Sequence, residues 1–243
     1  MAQKKSDGIF EIAKTVGYAV LIALVIRSVF YEPFRIPSGS MIPSLLVGDY
    51  LFVSKYSYGY SRYSFPLGLD LFSGRIMDSA PKRGDVVVFR QPPHPEIDFI
   101  KRIIGLPGDH IQVKGGILYI NDVAVIRDKI ADYVDEQGNS YPQYIETLPN
   151  GVKHHIIEMQ GDQGSLDNTA VYIVPPDHYF AMGDNRDNSA DSRVPEVVGY
   201  IPADNLVGKA QIIFFSTDGS ARWWEIWKWP FAMRFARFFD LIT

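Results

Sequence analysis

A serine held between two prolines, Ser40, is the first side chain in this sequence that could act as a nucleophile. It lies in the segment IPSGSMIPSL, residues 36–45. The adjacent glycine and the flanking prolines constrain the turn, so the hydroxyl and the backbone N–H of Ser40 can point outward together. A serine hydroxyl activated by a neighbouring base can attack a carbonyl carbon. Taken alone, such a segment is also typical of an ordinary loop.

Lys101 is the candidate for that base. It lies in the segment FIKRIIGLPGD, residues 99–109, whose start predicts a β-strand. Because alternate side chains of a strand share a face, Lys101 lies between Phe99 and Ile103. Burial at this position would lower the lysine pKa from about 10.4 towards neutrality, and a neutral amine can accept a proton. The alternative is a lysine that faces solvent from an edge strand.

A third polar segment, GDNRDNSADSR at residues 183–193, is dense in Asp, Asn and Gly. This composition predicts a loop built from Asx turns. Alternating oxygen ligands would also suit calcium, but Arg186 and Arg193 interrupt them and no glutamate completes the spacing of an EF-hand. We therefore expect no metal in this loop.

Other familiar catalytic arrangements are missing from the sequence. There is no cysteine, which excludes a thiol nucleophile and Cys-ligated metals. There is no Gly-x-Ser-x-Gly elbow and no His-Glu-x-x-His motif. The adjacent pair His154 and His155 would point to opposite faces of a strand, so we expect a surface or structural role for it. A net charge of −4 argues against a nucleic-acid-binding protein.

The elements that must position these residues are mostly β. After Pro33, short β-rich runs are separated by Gly and Pro, which favours a sandwich or a barrel-like arrangement. Gly115-Gly116 predicts a hairpin turn. Two stretches, 56–82 and 128–169, look like insertions. The predicted strands are 50–54, 85–90, 99–104, 110–113, 117–120, 152–159, 170–174, 179–182 and 206–216.

The N-terminus contains an apolar run, 16–26, which with its flanks at 12–31 approaches the roughly 20 residues that span a bilayer. Bulky and charged residues follow it, unlike the small residues of a signal-peptide cleavage site. We expect an uncleaved anchor, and a buried soluble helix is the alternative. Lysines precede the run, which weakly favours an N-terminus inside the cell and the rest of the chain outside.

The C-terminal segment 223–239 contains four Trp and several Phe interleaved with Arg and Lys. This mixture suits the interface between membrane and water, where amphipathic rings and cations settle. Aromatic side chains that pack over the end of a β core are the alternative.

Three motifs together resemble those of the bacterial type I signal (leader) peptidases. They are Ser-Gly-Ser-Met-x-Pro at 38–43, Ile-Lys-Arg-x-x-Gly-x-Pro-Gly-Asp at 100–109, and Gly-Asp-Asn-Arg-Asp-Asn-Ser-x-Asp-Ser-Arg at 183–193. They occur in the order of the family and after a membrane segment. The segments 83–89 and 206–210 extend the resemblance, whereas 56–82 and 128–170 carry no family signal.

The resemblance implies a role for each matching residue. Ser40 corresponds to the nucleophile, and Lys101 to the general base that deprotonates it. Ser38 corresponds to the serine whose hydroxyl, with the backbone N–H of Ser40, forms the oxyanion hole. The resemblance also implies Ser/Lys peptidase chemistry on a β-rich fold, without a metal or a cofactor.

The third motif supplies the supporting residues that the resemblance implies. Ser189 corresponds to the serine that orients the lysine amine, and Asp191 and Arg193 to an ion pair that supports the loop together with Asp184. One departure is Phe99, where some family members have Tyr. It removes a hydroxyl but keeps a ring beside the lysine, so it affects the substrate pocket rather than catalysis.

The resemblance implies an endopeptidase that removes signal peptides from exported preproteins after small residues, in an Ala-x-Ala pattern. It would be a single-pass protein of the bacterial inner membrane that contacts the phospholipid bilayer, with its catalytic domain on the periplasmic side. The expected domains are an anchor (1–32), a catalytic core in two parts (33–109 and 175–243) and an inserted second β subdomain (110–174). A self-cleaving repressor-type Ser/Lys protein is less favoured, because its Ala-Gly or Cys-Gly site is missing. A non-catalytic, membrane-tethered binding module is the alternative from another class.

Overall fold

A computed structural model describes residues 3–64, 74–222 and 224–243 of the chain. The helices in these ranges are α1 (Gln3–Val29) and the short α2 (Trp229–Ala232). The strands are β1 (Tyr31–Arg35), β2 (Asp49–Ser54), β3 (Val86–Arg90), β4 (Asp98–Gly105), β5 (His110–Lys114), β6 (Ile117–Ile120), β7 (Val123–Ala124), β8 (Ile126–Lys129), β9 (Tyr133–Val134), β10 (Ser140–Tyr141), β11 (Gln143–Thr147), β12 (Lys153–Ile157), β13 (Tyr172–Ile173), β14 (His178–Met182), β15 (Ile201–Pro202) and β16 (Leu206–Ser216). The predicted mostly β fold with one N-terminal apolar helix is confirmed.

The largest sheet has seven antiparallel strands in the order β1-β2-β16-β3-β4-β14-β15. The long strand β16 shifts its register against both of its neighbours. Such bulges bend a strand and increase its twist, so the sheet curls. The sheet therefore presents a concave environment in which residues from distant strands can meet.

Both faces of this sheet are buried along β3 and β4. Val86 and Val88 pack into one apolar cluster with Ile100, whereas Val87 packs into a second cluster with Ile103 on the other face. Because side chains alternate across a strand, a strand that is covered on both faces is apolar at every position. This arrangement explains the continuous Val-Val-Val-Phe run.

The chain between β4 and β14 adds three smaller sheets, in the orders β13-β5-β6-β7, β12-β11-β8 and β10-β9. Gly115 and Gly116 form the turn between β5 and β6, as predicted. A third apolar cluster joins β5 and β6 to Ile104 and Phe180 of the large sheet. The inserted region is therefore packed onto the large sheet, and the domain boundaries given above stay a prediction.

Several strands differ from those expected. The polar stretch 128–169 contains β9, β10 and β11, which the sequence did not signal because their side chains are largely exposed or half-buried. The strand expected at 170–174 is limited to Tyr172–Ile173. Strand β1 was not expected because of Pro33, which is tolerated because β1 is an edge strand. Residues 65–73 of the expected insertion 56–82 lie outside the described part of the chain.

Helix α1 contains a 20-residue apolar stretch, Phe10–Val29, with a mean hydropathy of 1.8. None of this stretch is buried against the described protein, so the alternative of a buried soluble helix is wrong. At about 1.5 Å per residue, the stretch is long enough to cross a bilayer. Where the helix ends, Arg27 of α1 donates to Glu32 of β1 at 2.7 Å. Glu32 also pairs with the buried Lys55 at 2.8 Å, so this carboxylate connects the helix to the large sheet.

Candidate active site

Ser40 lies in the loop between β1 and β2, and the sheet holds both ends of that loop. The backbone N–H of Ile36 donates to Asp49, and the N–H of Gly48 donates to Ile36. Met41 and Leu45 are fully buried in the core next to the loop. Ser40 is 8% exposed, so this loop holds the serine largely out of solvent.

Lys101 is on β4 and faces this serine. Its Nζ lies 2.6 Å from Oγ of Ser40 and 2.9 Å from the carbonyl oxygen of Ile100. The side chain is 3% exposed, so the prediction of a buried lysine is confirmed and the edge-strand alternative is wrong. Lys101 pairs with Val87 of the neighbouring strand, and the ring of Phe99 lies 5.4 Å from Nζ. Apolar walls on both sides thus keep water away from the amine.

Burial lowers the pKa of Lys101 to about 8. Removal from water disfavours the charged ammonium, and this effect outweighs the opposing attraction of the Asp191 and Asp184 carboxylates. The nearby Arg193 guanidinium lowers the lysine pKa further. A substantial fraction of the lysine is therefore neutral near physiological pH, which is what a general base requires.

A cleft of about 420 Å³ opens beside the Ser40–Lys101 pair. Ser38 and Ser40 both line it, so the structure brings together the two residues expected to form the oxyanion hole. The backbone N–H of Ser40 makes no hydrogen bond to any residue that the structure describes. The walls are mainly apolar, and the other lining residues are Pro37, Gly39, Ile97, Asp98, Phe99, Ile100, Lys101, Asn188 and Ala190.

Ser189 is buried behind this pair, in the loop 183–193. It packs against Gly183, where a Cβ atom would lie 2.6 Å from Cβ of Ser189 and far inside van der Waals contact with the Ser40 carbonyl oxygen. The Ser189 hydroxyl makes no hydrogen bond to Lys101, whose amine is bound to Ser40 and Ile100. The structure thus brings Ser189 next to the pair without the orienting hydrogen bond that the resemblance implies.

Two buried ion pairs hold the loop in place. Arg193 binds Asp191 through Nε and a terminal nitrogen, both at 2.9 Å. Arg102 donates to both oxygens of Asp184 at 2.9 and 2.7 Å. Burial alone would raise the pKa of each carboxyl, but the partner guanidinium holds it below the ordinary value. All three supporting residues expected from the sequence are therefore close to the candidate site.

Sequence reasoning missed two partners of this framework. Arg102 is next to Lys101, and strand alternation places it on the opposite face, where it reaches Asp184. Glu146 of β11 forms a buried pair with Arg186 of the loop. Arg102 and Arg186 both lie inside the motifs at 100–109 and 183–193, so the sequence could have indicated their importance. No pattern marked Glu146, because it lies in a polar stretch.

The adjacent histidines and one cluster of carboxylates do not line the cleft beside the Ser–Lys pair. His154 is buried, 3.4 Å from Glu146, and His155 is exposed, so the two point to opposite faces as expected. Among the described residues, one group could hold a metal ion. It consists of Glu158, Asp167 and Asp187.

A β-rich catalytic body, an apolar N-terminal helix and a buried Ser–Lys pair in a cleft together fit a membrane-associated peptidase. The chain belongs to the signal peptidase family, peptidase S26, whose family model matches residues 9–215. This membership confirms the resemblance drawn from the three motifs.

Two proteins from Rickettsia agree with that assignment. Signal peptidase I of Rickettsia canadensis is 45% identical over 219 residues, which is 87% of this chain and 81% of that protein. Signal peptidase I of Rickettsia typhi is 45% identical over 215 residues, covering 86% and 80%. A crystal structure of a signal peptidase I from Enterococcus faecalis V583 matches with 25% identity and a TM-score of 0.32, over 54% of this chain and 97% of that one.

Proposed function

We propose that the chain is a serine endopeptidase in which Ser40 is the nucleophile and Lys101 the general base. The observation that carries this proposal is the 2.6 Å separation between Nζ of Lys101 and Oγ of Ser40. This distance is within the range that direct proton transfer requires. The lowered lysine pKa enlarges the fraction of neutral amine, which is the form that the reaction needs.

The reaction begins when neutral Lys101 takes the proton of the Ser40 hydroxyl. The resulting alkoxide attacks the scissile carbonyl carbon and forms a tetrahedral intermediate. Lys101 is now an ammonium, and it returns the proton to the leaving amine as the peptide bond breaks. A water molecule, deprotonated by the same lysine, then hydrolyses the acyl-enzyme.

The oxyanion hole consists of the Ser38 hydroxyl and the backbone N–H of Ser40. Both groups line the cleft, and the N–H is not engaged by another described residue. In comparable sites one such donor lowers the barrier by about 3–4 kcal/mol. We assign to Ser189 the role of orienting the lysine amine, because this serine is buried in the same region, where Gly183 separates it from the Ser40 carbonyl.

The substrates are signal peptides of exported preproteins, cut after small residues in an Ala-x-Ala pattern. Family membership and the names of the relatives support this assignment. The cleft supports it as well, because apolar residues such as Ile97, Phe99 and Ile100 line it beside the nucleophile. Such walls favour apolar side chains on the residues before the bond that is cut.

The test is cleavage of a preprotein with an Ala-x-Ala site in detergent, with Ser40→Ala and Lys101→Met compared with the wild type. We expect the wild type to cut after the small residue and both variants to lose activity. Lys129→Met is the matched control, since Lys129 is exposed. Full activity of Lys101→Met would rule out the proposed mechanism, and a wild type without activity would favour the non-catalytic module.

We further infer that α1 anchors the chain in the bacterial inner membrane, with the N-terminus inside and the catalytic body on the periplasmic side. The C-terminal segment 224–239 would then touch the bilayer surface. Its side chains remain largely exposed, with Trp227 at 65% and Phe231 at 88%. The same segment also packs on the sheet, where Ala232 is buried and Phe238 contacts Phe215. The two interpretations of this segment are therefore compatible.

Tryptophan fluorescence can test this contact, because all four Trp of the chain lie between positions 223 and 229. In vesicles that contain the full-length chain, brominated lipids should quench the emission strongly. Quenching should be weaker in Phe231→Ser, which loosens the segment from the bilayer while α1 stays in place. The contact would be contradicted if brominated lipids did not quench the emission and a water-soluble quencher reduced it as much in vesicles as in urea-unfolded protein. The segment would then lie in water.

A further inference from the structure

Three carboxylates meet where the inserted region touches the loop 183–193. Glu158 follows β12, Asp167 lies in the turn before β13, and Asp187 belongs to the loop. One oxygen of each lies within 4.8 Å of the others. Like charges at such distances repel unless something neutralises them.

Two of the carboxylate oxygens are buried without a partner. Oδ2 of Asp187 accepts the backbone N–H of Gln160, and Oδ2 of Asp167 accepts the N–H of Gly164, both at 2.6 Å. In contrast, Oε2 of Glu158 and Oδ1 of Asp187 have no hydrogen-bond partner in the described part of the chain. Glu158 is 1% exposed, so bulk water cannot serve it. Buried polar atoms without partners are costly, and this points to a missing ligand.

The surrounding arginines are largely committed elsewhere. Arg127 is 3.6 Å from Glu158, but it donates to both oxygens of Asp162 and to the Gly116 carbonyl. Arg186 is bound to Glu146. The cluster of Glu158, Asp167 and Asp187 therefore shares arginines that already pair with Asp162 and Glu146.

We propose that Glu158, Asp167 and Asp187 together bind one hard divalent cation, with Ca²⁺ preferred. At Ca²⁺–oxygen distances of about 2.4 Å, any two ligands of one ion lie at most about 4.8 Å apart. The three carboxylate oxygens meet this limit. Ca²⁺ accepts irregular shells of oxygen ligands, whereas Mg²⁺ requires a near-ideal octahedron. Water molecules supply the remaining ligands.

The ion would connect the inserted region to the loop that carries Ser189. The two segments already exchange backbone hydrogen bonds, from Ile157 to Asp184 and from Arg186 to Ile157, both at 3.0 Å. The cation would add a connection through side chains, because it binds carboxylates from both segments. The loop lacks the glutamate of an EF-hand, and the inserted region supplies two carboxylates in its place.

The experiment is calorimetric titration of CaCl₂ and MgCl₂ into the EDTA-treated, full-length chain in detergent. We expect about one Ca²⁺ per chain and weaker binding of Mg²⁺. Asp187→Asn and Glu158→Gln should bind at least tenfold more weakly. Asp128→Asn should bind as the wild type does, because Asp128 is an exposed carboxylate of the same inserted region.

Thermal unfolding provides the second measurement. At a Ca²⁺ concentration ten times the Kd, the Tm of the wild type should rise by about 3–6 °C. No heat and no shift in the wild type up to 10 mM Ca²⁺ would overturn the proposal and leave a proton shared between Glu158 and Asp187 as the occupant. Binding that persists unchanged in Asp187→Asn would overturn it as well, because the ion would lie elsewhere.

Discussion

Nζ of Lys101 lies 2.6 Å from Oγ of Ser40 although 61 positions separate the two residues in the chain. Ser40 is on a loop whose two ends are hydrogen-bonded at the edge of the sheet. Lys101 is on a central strand that is covered on both faces. The large sheet therefore holds both members of the pair in place. This rigidity supplies the preorganisation that an amine base needs, since small displacements cost large factors in rate.

Activity should rise with pH through the pKa of Lys101. The ammonium form cannot accept a proton, and the pKa is about 8, so the neutral fraction grows about tenfold between pH 7 and pH 9. The measurement is kcat/KM for a signal-peptide substrate across this range. A rate that is flat or falls between pH 7 and pH 8.5 would contradict the assignment of Lys101 as the base.

Lys101→Met should make the fold more stable at pH 7 while it abolishes activity. The pKa falls from 10.5 to about 8 on folding, so burial of the charged form costs up to about 3 kcal/mol. Below pH 8 the lysine is charged in both states and the full cost is present. Between pH 8 and 10.5 Lys101 is neutral in the folded state but still charged in the unfolded state. The cost therefore falls steadily as the pH rises through this range, and it vanishes above pH 10.5.

The corresponding rise in Tm is up to about 6–12 °C at pH 7, and it should shrink towards pH 10. Calorimetry of wild type and variant at both pH values checks it. Lys129→Met, in which an exposed lysine is replaced, should show no such pH-dependent difference. A Lys101→Met variant less stable than the wild type at pH 7 would mean that the hydrogen bonds of the amine outweigh the cost of its burial.

Gly183→Ala should damage the site directly. The added methyl group would overlap the Ser40 carbonyl oxygen and Oγ of Ser189, so both catalytic segments must shift. We expect a loss of at least tenfold in kcat and a destabilisation of about 1–3 kcal/mol. Gly17→Ala is the matched control, because nothing lies within 4 Å of the added atom. Full activity of Gly183→Ala would show that the loop has more room than the structure gives it.

The buried Glu146–Arg186 pair should prove important for stability. Glu146→Gln leaves the Arg186 charge uncompensated in the interior and should cost about 3–5 kcal/mol, measured by urea unfolding. The double variant Glu146→Leu, Arg186→Met should recover most of the loss, because it removes both charges. Glu225→Gln, which breaks the exposed pair with Lys228, serves as the control and should have no measurable effect. A double variant as unstable as the single one would mean that the pair makes a net contribution of its own.

Local patterns were sufficient where the chemistry is local. The Pro-bounded Ser-Gly-Ser turn, the lysine between two apolar neighbours on one strand face, and the Asx-rich loop are each defined by a few adjacent residues. Their order after an apolar helix was enough to identify the family. The alternating burial of β3 and β4 follows from the same short-range rule.

Local sequence patterns could not predict pairs of residues that only tertiary contacts bring together. Glu146 has no neighbour in the sequence that marks it, because its partner Arg186 is 40 positions away. Asp187 appeared to belong to a loop without a complete set of ligands, and folding brings Glu158 and Asp167 to it. Strand β1 contains Pro33 and is stabilised by β2, which lies beyond the Ser40 loop.

By itself, the sequence determined which side chains are the candidates for the chemistry, since their types and close spacing are written in short motifs. Only the tertiary structure decided that Lys101 is buried, that it touches Ser40, and that Ser189 lies beside the pair without binding the amine. Burial and separation depend on how curled strands pack over one another, and this packing sets the desolvation that lowers the lysine pKa. The chemistry of the site is therefore encoded locally, whereas its protonation state is a property of the whole fold.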